Sequence, residues 1–316
     1  MPSPLCSQVL RALSLAALLP RAGCWWATGH LAVAAVAQAR LSPPAARAVT
    51  ALLAIDTASY PLESSLPAAA DWMDLIKAGT DAFSTWHYAD AALVAASNGS
   101  VALDASWSPA ASAALVSGGG AAPNVVWALT RCFSALAPGS RAAPAQRAWF
   151  LRAVLHLLGD MHQPLHCASL TLPGGSLDAG GNRAMLAPPA RVADDGTTAT
   201  NLHACWDAMA GAAAAVPATF PPLPAGGPGV AAPGLAALVA SLAPEIGEAA
   251  AALAASKPAL TASALTERTG AVVRAWHAES AALSAAAVYG GPPVASAVAA
   301  RADALVIDTT HPGWPA

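Results

Sequence analysis

A chain of 316 residues can bury a large core, as one big domain or two small ones. Only 10% of its residues are charged against 56% hydrophobic, and the net charge of -3 leaves no basic excess, which excludes nucleic-acid binding through a broad cationic footprint. Much of the apolar share is alanine, a strong helix former, so the expected fold class is all-α, mainly helical.

The first 24 residues, MPSPLCSQVLRALSLAALLPRAGC, read as a secretory signal peptide. Arg11 precedes the apolar run ALSLAALL, Pro20 breaks it, and Ala22 and Cys24 are small residues suited to cleavage. The run is too short to span a bilayer as a helix. The alternative is an apolar N-terminal helix that stays. Cleavage implies a product that is secreted or held in an endomembrane or vacuolar lumen, with no membrane attachment. It removes Cys6 and Cys24 and leaves Cys132, Cys167 and Cys205, an odd number in an oxidising compartment. One pair and one free thiol is the simplest outcome. Asn98-Gly99-Ser100 is a glycosylation sequon, usable only on an exposed loop of a secreted chain.

Helical patterns follow at 29–40, 43–55, 66–77, 108–115, 122–136, 144–162, 201–214, 232–255 and 261–287. Pro/Gly-rich breaks at 172–181, 217–229 and 290–293 separate them. Segment 183–200 can hold a short β-hairpin with Asp195-Gly196 as its turn. No break coincides with a change of composition, so one helical domain with loop excursions is more economical than two. Pro244, Glu245 and Glu248 interrupt the alanine-rich 232–255, which reads as a packed helix rather than a membrane span.

The segment LRAVLHLLGDMHQPLH, 151–166, reads as a buried helix, yet it holds His156, Asp160, His162 and His166. Such groups are costly to bury unless they are paired or bound. His156 and Asp160 lie four apart, on one helix face. His203 and Asp207, in NLHACWD, repeat that spacing. Asp74 sits in DWMD, His87 in TWHYAD, and His30 follows WWATG. Imidazole and carboxylate are the usual zinc ligands, and an i, i+4 pair can hold one ion. Singly, each piece is ordinary: a lone His hydrogen-bonds in a core, and an Asp suits a helix end. Two His-x3-Asp pairs and a His-rich turn together point to a multi-metal site.

The order WWATGH, DWMD, HYAD, LHLLGDMHQPLH, GGN, NLHACWD resembles the zinc-dependent single-strand nucleases of fungi and plants, the S-one/P-one family with its plant bifunctional nucleases. The resemblance runs from Trp25 to about Gly290 and includes RAWHAESAALSAAAVY, 274–289. It implies a mainly helical single domain over 25–290, a fold shared with zinc phospholipase C, a divergent tail over 291–316, and three zinc ions in a cleft. By motif, Asp74, His87, His156 and Asp160 would surround the first zinc. His166, His203 and Asp207 would hold the second. The third would take His30, Asp160 as a bridge, and the free amine and carbonyl of a mature N-terminal Trp25. Signal cleavage would then be activating. His162, His277 and His311 match no ligand and are expected to be structural or solvent-facing.

The family's reaction implies a hydroxide shared between two zinc ions attacking phosphorus, with the remaining zinc neutralising the departing 3′ oxygen. The substrates would be single-stranded DNA and RNA, cleaved to 5′-phosphorylated products, with 3′-nucleotides as further substrates, and the enzyme would be a monomer. Asp90 matches the carboxylate that orients the attacking water. Lys77 falls where the family places a basic partner for it. The plainer reading of Asp90 is a helix cap before AALVAA. Tyr88 matches an aromatic on which a base stacks. Ala179 stands where the opposite wall is expected, and Asn182, with Gly180 and Gly181, would shape that loop. If His166 and His203 share an ion, their neighbours Cys167 and Cys205 come close, and a disulfide between them is expected. In the tail only 294–307 can be helical. Two other readings compete. One is a zinc phospholipase C, disfavoured by the Trp25-x4-His30 spacing and by Asp207 as the last ligand. The other is a secreted zinc-binding protein without turnover, disfavoured by Asp90.

Overall fold

The computed structural model describes residues 25–56, 65–77, 79–104, 123–192, 196–208, 262–300, 304–312 and 314, with 262–267 as backbone only. The signal segment, the expected helices 108–115 and 232–255, the break at 217–229 and the hairpin residue Asp195 lie outside the described residues. The architecture is mainly helical. In chain order the helices are α1 (Ala27–Arg40), α2 (Pro43–Leu53), α3 (Leu66–Ala70), α4 (Trp72–Ile76), α5 (Val125–Leu136), α6 (Pro144–His162), α7 (Leu202–Asp207), α8 (Ala262–Leu283) and α9 (Pro292–Ala299). The strands are β1 (Ala91–Ala95), β2 (Val101–Leu103), β3 (Ala168–Leu170), β4 (Met185–Arg191), β5 (Thr198–Asn201) and β6 (Val306–Asp308).

Local chemistry sets the ends of the central helix α6. Pro144 opens it at a position where no backbone donor is lost, and the Gln146 side chain accepts the Ala143 N–H at 2.9 Å. Gln163 leaves the helix in an extended conformation because Pro164 follows. Asn124 caps α5 by accepting the Trp127 N–H at 3.1 Å, and Asn201 caps α7 by accepting the Ala204 N–H at 2.8 Å. The helix expected over 66–77 is broken at Asp71 into α3 and α4. A straight helix buries one stripe. The break lets Ala68–Ala70 and Trp72–Met73 all enter the core.

β1 is flanked by β2, antiparallel, and β3, parallel, with Ala91 opposite Ala168 and Ala92 opposite Ser169. Ala91 and Leu93 are buried in alternation, so this stretch is a strand and Asp90 caps no helix. The hairpin expected over 183–200 forms as β4 and β5, and β6 adds to it in parallel beside β4. The tail helix spans Pro292–Ala299 rather than 294–307, and Val306–Asp308 is a strand. Val294, Val298, Leu305 and Ile307 from this tail lie in the main core.

That core joins α4, α5, α6, α8 and both sheets, while Ala34, Leu53, Leu66, Ala69, Ala70 and Leu151 form a smaller one under α1 and α2. Arg152 is fully buried and donates to the carbonyls of Leu53 at 3.1 Å and Ala148 at 3.3 Å, which satisfies the end of α2. Among the described residues no single helix is long and apolar enough to cross a membrane. The bent pair 268–289 and 292–299 passes by composition alone and contributes Val273, Ala281, Val288 and Val294 to the core.

The cysteines correct one expectation. Cys132, Cys167 and Cys205 are all free and buried, so the Cys167–Cys205 disulfide is not formed. The Cys167 thiol turns toward α6 instead, donating to the Met161 carbonyl at 3.2 Å. Burial pushes the Cys205 thiol up to about 11 and that of Cys132 to about 12.

Candidate active site

α6 supplies the centre. His156 and Asp160 project from one face, and Asp160 Oδ2 lies 3.3 Å from His156 Nε2 and 2.9 Å from His87 Nδ1. His87 arrives from the 3-10 turn Ser84–His87, and Asp74 from α4. Asp74 Oδ1 lies 3.8 Å from His156 Nε2 and 4.0 Å from His87 Nδ1. His30, from α1, stacks on His156 with centroids 3.8 Å apart, its Nε2 3.3 Å from Asp160 Oδ1. The second pocket joins His166, from the turn after α6, to α7. His166 Nε2 lies 3.5 Å from Asp207 Oδ1, His203 Nε2 lies 3.3 Å from Asp207 Oδ2, and the two rings stack. Among the described residues three groups could each hold a metal ion: His30, His156 and Asp160; Asp74, His87 and His156; His166, His203 and Asp207.

The hydrogen bonds around these groups suit ions. His156 Nδ1 donates to the Ala70 carbonyl at 2.6 Å, His166 Nδ1 to the His87 carbonyl at 2.8 Å, and His203 Nδ1 to the Gly180 carbonyl at 2.7 Å. A carbonyl only accepts, so each ring carries its proton on Nδ1 and turns Nε2 to the pocket. Both nitrogens of His30, Asp160 Oδ1 and His166 Nε2 are buried without a hydrogen bond. Buried polar atoms of this kind need a partner, and a cation supplies one.

Electrostatics point the same way. Burial works to raise the Asp160 pKa, but His156, His30 and His87 overcome it and hold the carboxyl well below its usual range. Burial likewise opposes ionisation of Asp74, and His156, Lys77, His30 and His87 outweigh it. Burial drops His87 to about 4, against its hydrogen bond to the Asp160 carboxylate, so its ring is neutral and able to ligate. His156 and His166 go the other way. Burial lowers both, yet the neighbouring carboxylates win, raising His156 and taking His166 to about 9. Without an ion, a proton therefore balances those carboxylates, and metal must displace it.

Close approach depends on glycine. A Cβ at Gly159 would stand 2.9 Å from His30 Nδ1, so α6 must be bare where α1 crosses it. The Trp25 indole donates to the Gly159 carbonyl at 2.9 Å, and the Trp26 N–H donates to the Asp207 carbonyl at 2.9 Å. The WWATGH segment thus lies against residues flanking both pockets.

The rim carries the remaining expected residues. Tyr88 is exposed and follows His87 in extended backbone. Asp90 also opens to solvent. The surrounding protein raises its pKa, while the Ser169 hydroxyl and the charges of His166 and His203 pull it down. Lys77 forms an ion pair with Asp74 at 2.7 Å. Ala179 is exposed in the left-handed region at φ 56°, followed by Gly180 at 61° and Gly181 at 82°. Asn182 closes that loop by donating to the Ala179 carbonyl at 2.8 Å. His162 is solvent-facing, whereas His277 is buried and donates from Nε2 to the Ala89 carbonyl at 2.6 Å, bracing the strand start beside Asp90.

Several supporting residues had no role assigned from the sequence. Gln163 Nε2 donates to Asp207 Oδ1 at 2.7 Å, tying the end of α6 to α7. Asp178 is buried and accepts from the Tyr289 hydroxyl at 2.5 Å and the Leu170 N–H at 2.9 Å. A Gln inside the HQPLH run and an Asp two residues before GGN were the available signals.

A comparison with curated proteins finds no match. The family model described as S1/P1 Nuclease matches residues 25–304, a span that holds every pocket and rim residue above. The chain therefore belongs to the S1/P1 nuclease family, hydrolases that act on nucleic acids.

Proposed function

We propose that this nuclease is a secreted, zinc-dependent endonuclease that cuts single-stranded DNA and RNA to 5′-phosphorylated products and also accepts 3′-nucleotides. The observation that carries the reading is the sharing of Asp160 among His30, His87 and His156, beside an exposed Tyr88–Asp90 rim. The first zinc would take Asp74, His87, His156 and Asp160. The second would take His166, His203 and Asp207, and the third His30, Asp160 and the amine and carbonyl of a processed Trp25. Imidazole and carboxylate sets of this size suit zinc. Bound zinc supplies a water of lowered pKa and positive charge for the departing 3′ oxygen.

The chain's own groups do the rest. Asp90 orients the attacking water by accepting its proton. Tyr88 presents a flat face to an unpaired base, which a duplex cannot offer because its bases already stack on one another. Ala179 gives no second aromatic wall, so base stacking at this site is one-sided. Lys77, a flexible point charge on the edge of the first cluster, is suited to a phosphate oxygen. Removal of residues 1–24 would free the Trp25 amine and complete the third ligand set.

The test uses the processed protein. It should release nucleotides from single-stranded DNA and RNA faster than from duplex, lose activity on chelation, and regain it with zinc. Asp90→Asn should retain zinc and lose about 10²–10⁴-fold in kcat, the scale of one general base. Full activity in Asp90→Asn would remove that residue's role. A processed chain that binds no zinc and cleaves no single strand would overturn the whole reading.

A further inference from the structure

Gln163 follows Asp160 by three residues and precedes His166 by three, so it links a carboxylate of the first cluster to a ring of the second. Its side chain is fully buried. Its backbone is pinned on both sides: the N–H donates to the Asp160 carbonyl at 3.0 Å, and the carbonyl accepts the His166 N–H at 3.0 Å. The side-chain oxygen accepts the Leu165 N–H at 2.6 Å, which caps the 3-10 turn Pro164–His166. The side-chain Nε2 donates to Asp207 Oδ1 at 2.7 Å. A backbone N–H can only donate and an ionised carboxylate can only accept, so the amide cannot turn over without losing both bonds.

Asp207 needs that hold. The Trp26 N–H donates to its carbonyl at 2.9 Å, which fixes the backbone but leaves the carboxylate free to rotate. With Gln163 on Oδ1, that oxygen lies 3.5 Å from His166 Nε2 and Oδ2 lies 3.3 Å from His203 Nε2. The two rings cannot do the same work. Each spends its Nδ1 proton on a backbone carbonyl, so once Nε2 is turned to an ion neither has a proton left for Asp207. The amide has one to give. Asp207 is 1% exposed, so water is poorly placed to replace that donor.

We propose that Gln163 is a positioning residue for the second metal cluster. One amide caps the turn that delivers His166 and fixes the carboxylate of Asp207, so two ligands from different helices, α6 and α7, keep one mutual geometry. This rests on the second zinc set proposed above.

The experiment titrates the processed protein, loaded with zinc alone, against chelator-buffered free zinc and counts the ions that remain. Asp207→Asn marks which release step belongs to the second cluster. Gln163→Met matches the length without either polar group. It should release that same ion at about 10-fold to 100-fold higher free zinc, the scale for losing an outer partner of a ligand, with the other release steps at their wild-type positions. Gln163→Asn keeps the amide one methylene short and should fall between. Wild-type release of every ion in Gln163→Met overturns this proposal and leaves the zinc reading intact. Equal weakening of all ions makes the residue merely structural and also overturns it. A wild-type protein with no zinc step that depends on Asp207 overturns this proposal and the second zinc set together. Should the methionine variant fail to fold, Gln163→Asn decides: selective weakening of the Asp207-dependent step is support, and wild-type release is a refutation.

Discussion

On the floor of the site Asp160 is fully buried and approached by four histidines, His87 at 2.9 Å, His30 and His156 at 3.3 Å and His166 at 3.8 Å. At the rim Asp90 opens to solvent. The floor is organised by the cost of burial: every ring and carboxylate there must answer to a partner, and the partners converge on common points. The rim escapes that cost. Tyr88, Asp90 and Ala179 take their places from backbone, the first two from the strand start before β1 and the third from a left-handed loop. Floor residues therefore should govern whether ions stay, and rim residues how fast and on what substrate they act.

Asp160→Asn tests the floor hardest. It removes the one carboxylate shared by the clusters around His30 and His87, so only the His166, His203 and Asp207 group should keep an ion. Activity should fall below detection, with metal analysis of the dialysed protein as the readout. Retention of all ions would break the distinction between floor and rim. Tyr88→Ala should leave the ions in place and weaken single-strand binding by about 1–3 kcal/mol, the scale of one stacked base, seen as a higher KM with kcat little changed. A drop in ion content would show that Tyr88 belongs to the floor.

Acidity sharpens the contrast further. In the metal-free protein His166 is raised from 6.5 to about 9, chiefly through Asp207 and against burial. That contribution to stability is fully present below pH 6.5 and is lost as pH rises through about 9. The melting temperature of the chelated protein should therefore fall across this window, and zinc, which displaces the proton, should flatten the fall. A chelated protein as stable at pH 9 as at pH 6.5 would contradict it. The smallest effect belongs to Ala179→Gly. Glycine occupies the left-handed region freely, so this change should stabilise the protein by about 1 kcal/mol or less, without altering ion content.

Much of the floor was legible because its residue types stand out against their surroundings. His156 and Asp160 are conspicuous in an apolar helix, and α6 begins and ends where Pro144 and Pro164 require. The strand β1 was harder. AALVAA has no strong local preference, and only pairing with β2 and β3 makes it extended. Asp71 reads as an ordinary helical residue until Trp72 and Met73 are seen to need the core. The ion pair of Lys77 with Asp74, three residues earlier, is a local i, i+3 contact that helix spacing allows. The cysteine pairing failed because neighbouring ligands need not bring neighbouring thiols together: Cys167 turns to Met161. Gln163, Asp178 and Tyr289 could not be assigned, since their partners lie 44 and 111 residues away.

The sequence by itself determined the inventory: which histidines and aspartates are present, their i, i+4 spacing on two helices, and the glycines without which α1 and the 179–181 loop could not approach. Those are local properties, set by residue chemistry and helix geometry. Only the tertiary structure decided which carboxylate is shared, which nitrogen of each ring faces inward, and that Ser169 holds the Gly180 loop behind His203. Those depend on distances between remote segments, and they are fixed when packing and hydrogen bonding choose one arrangement of the whole chain.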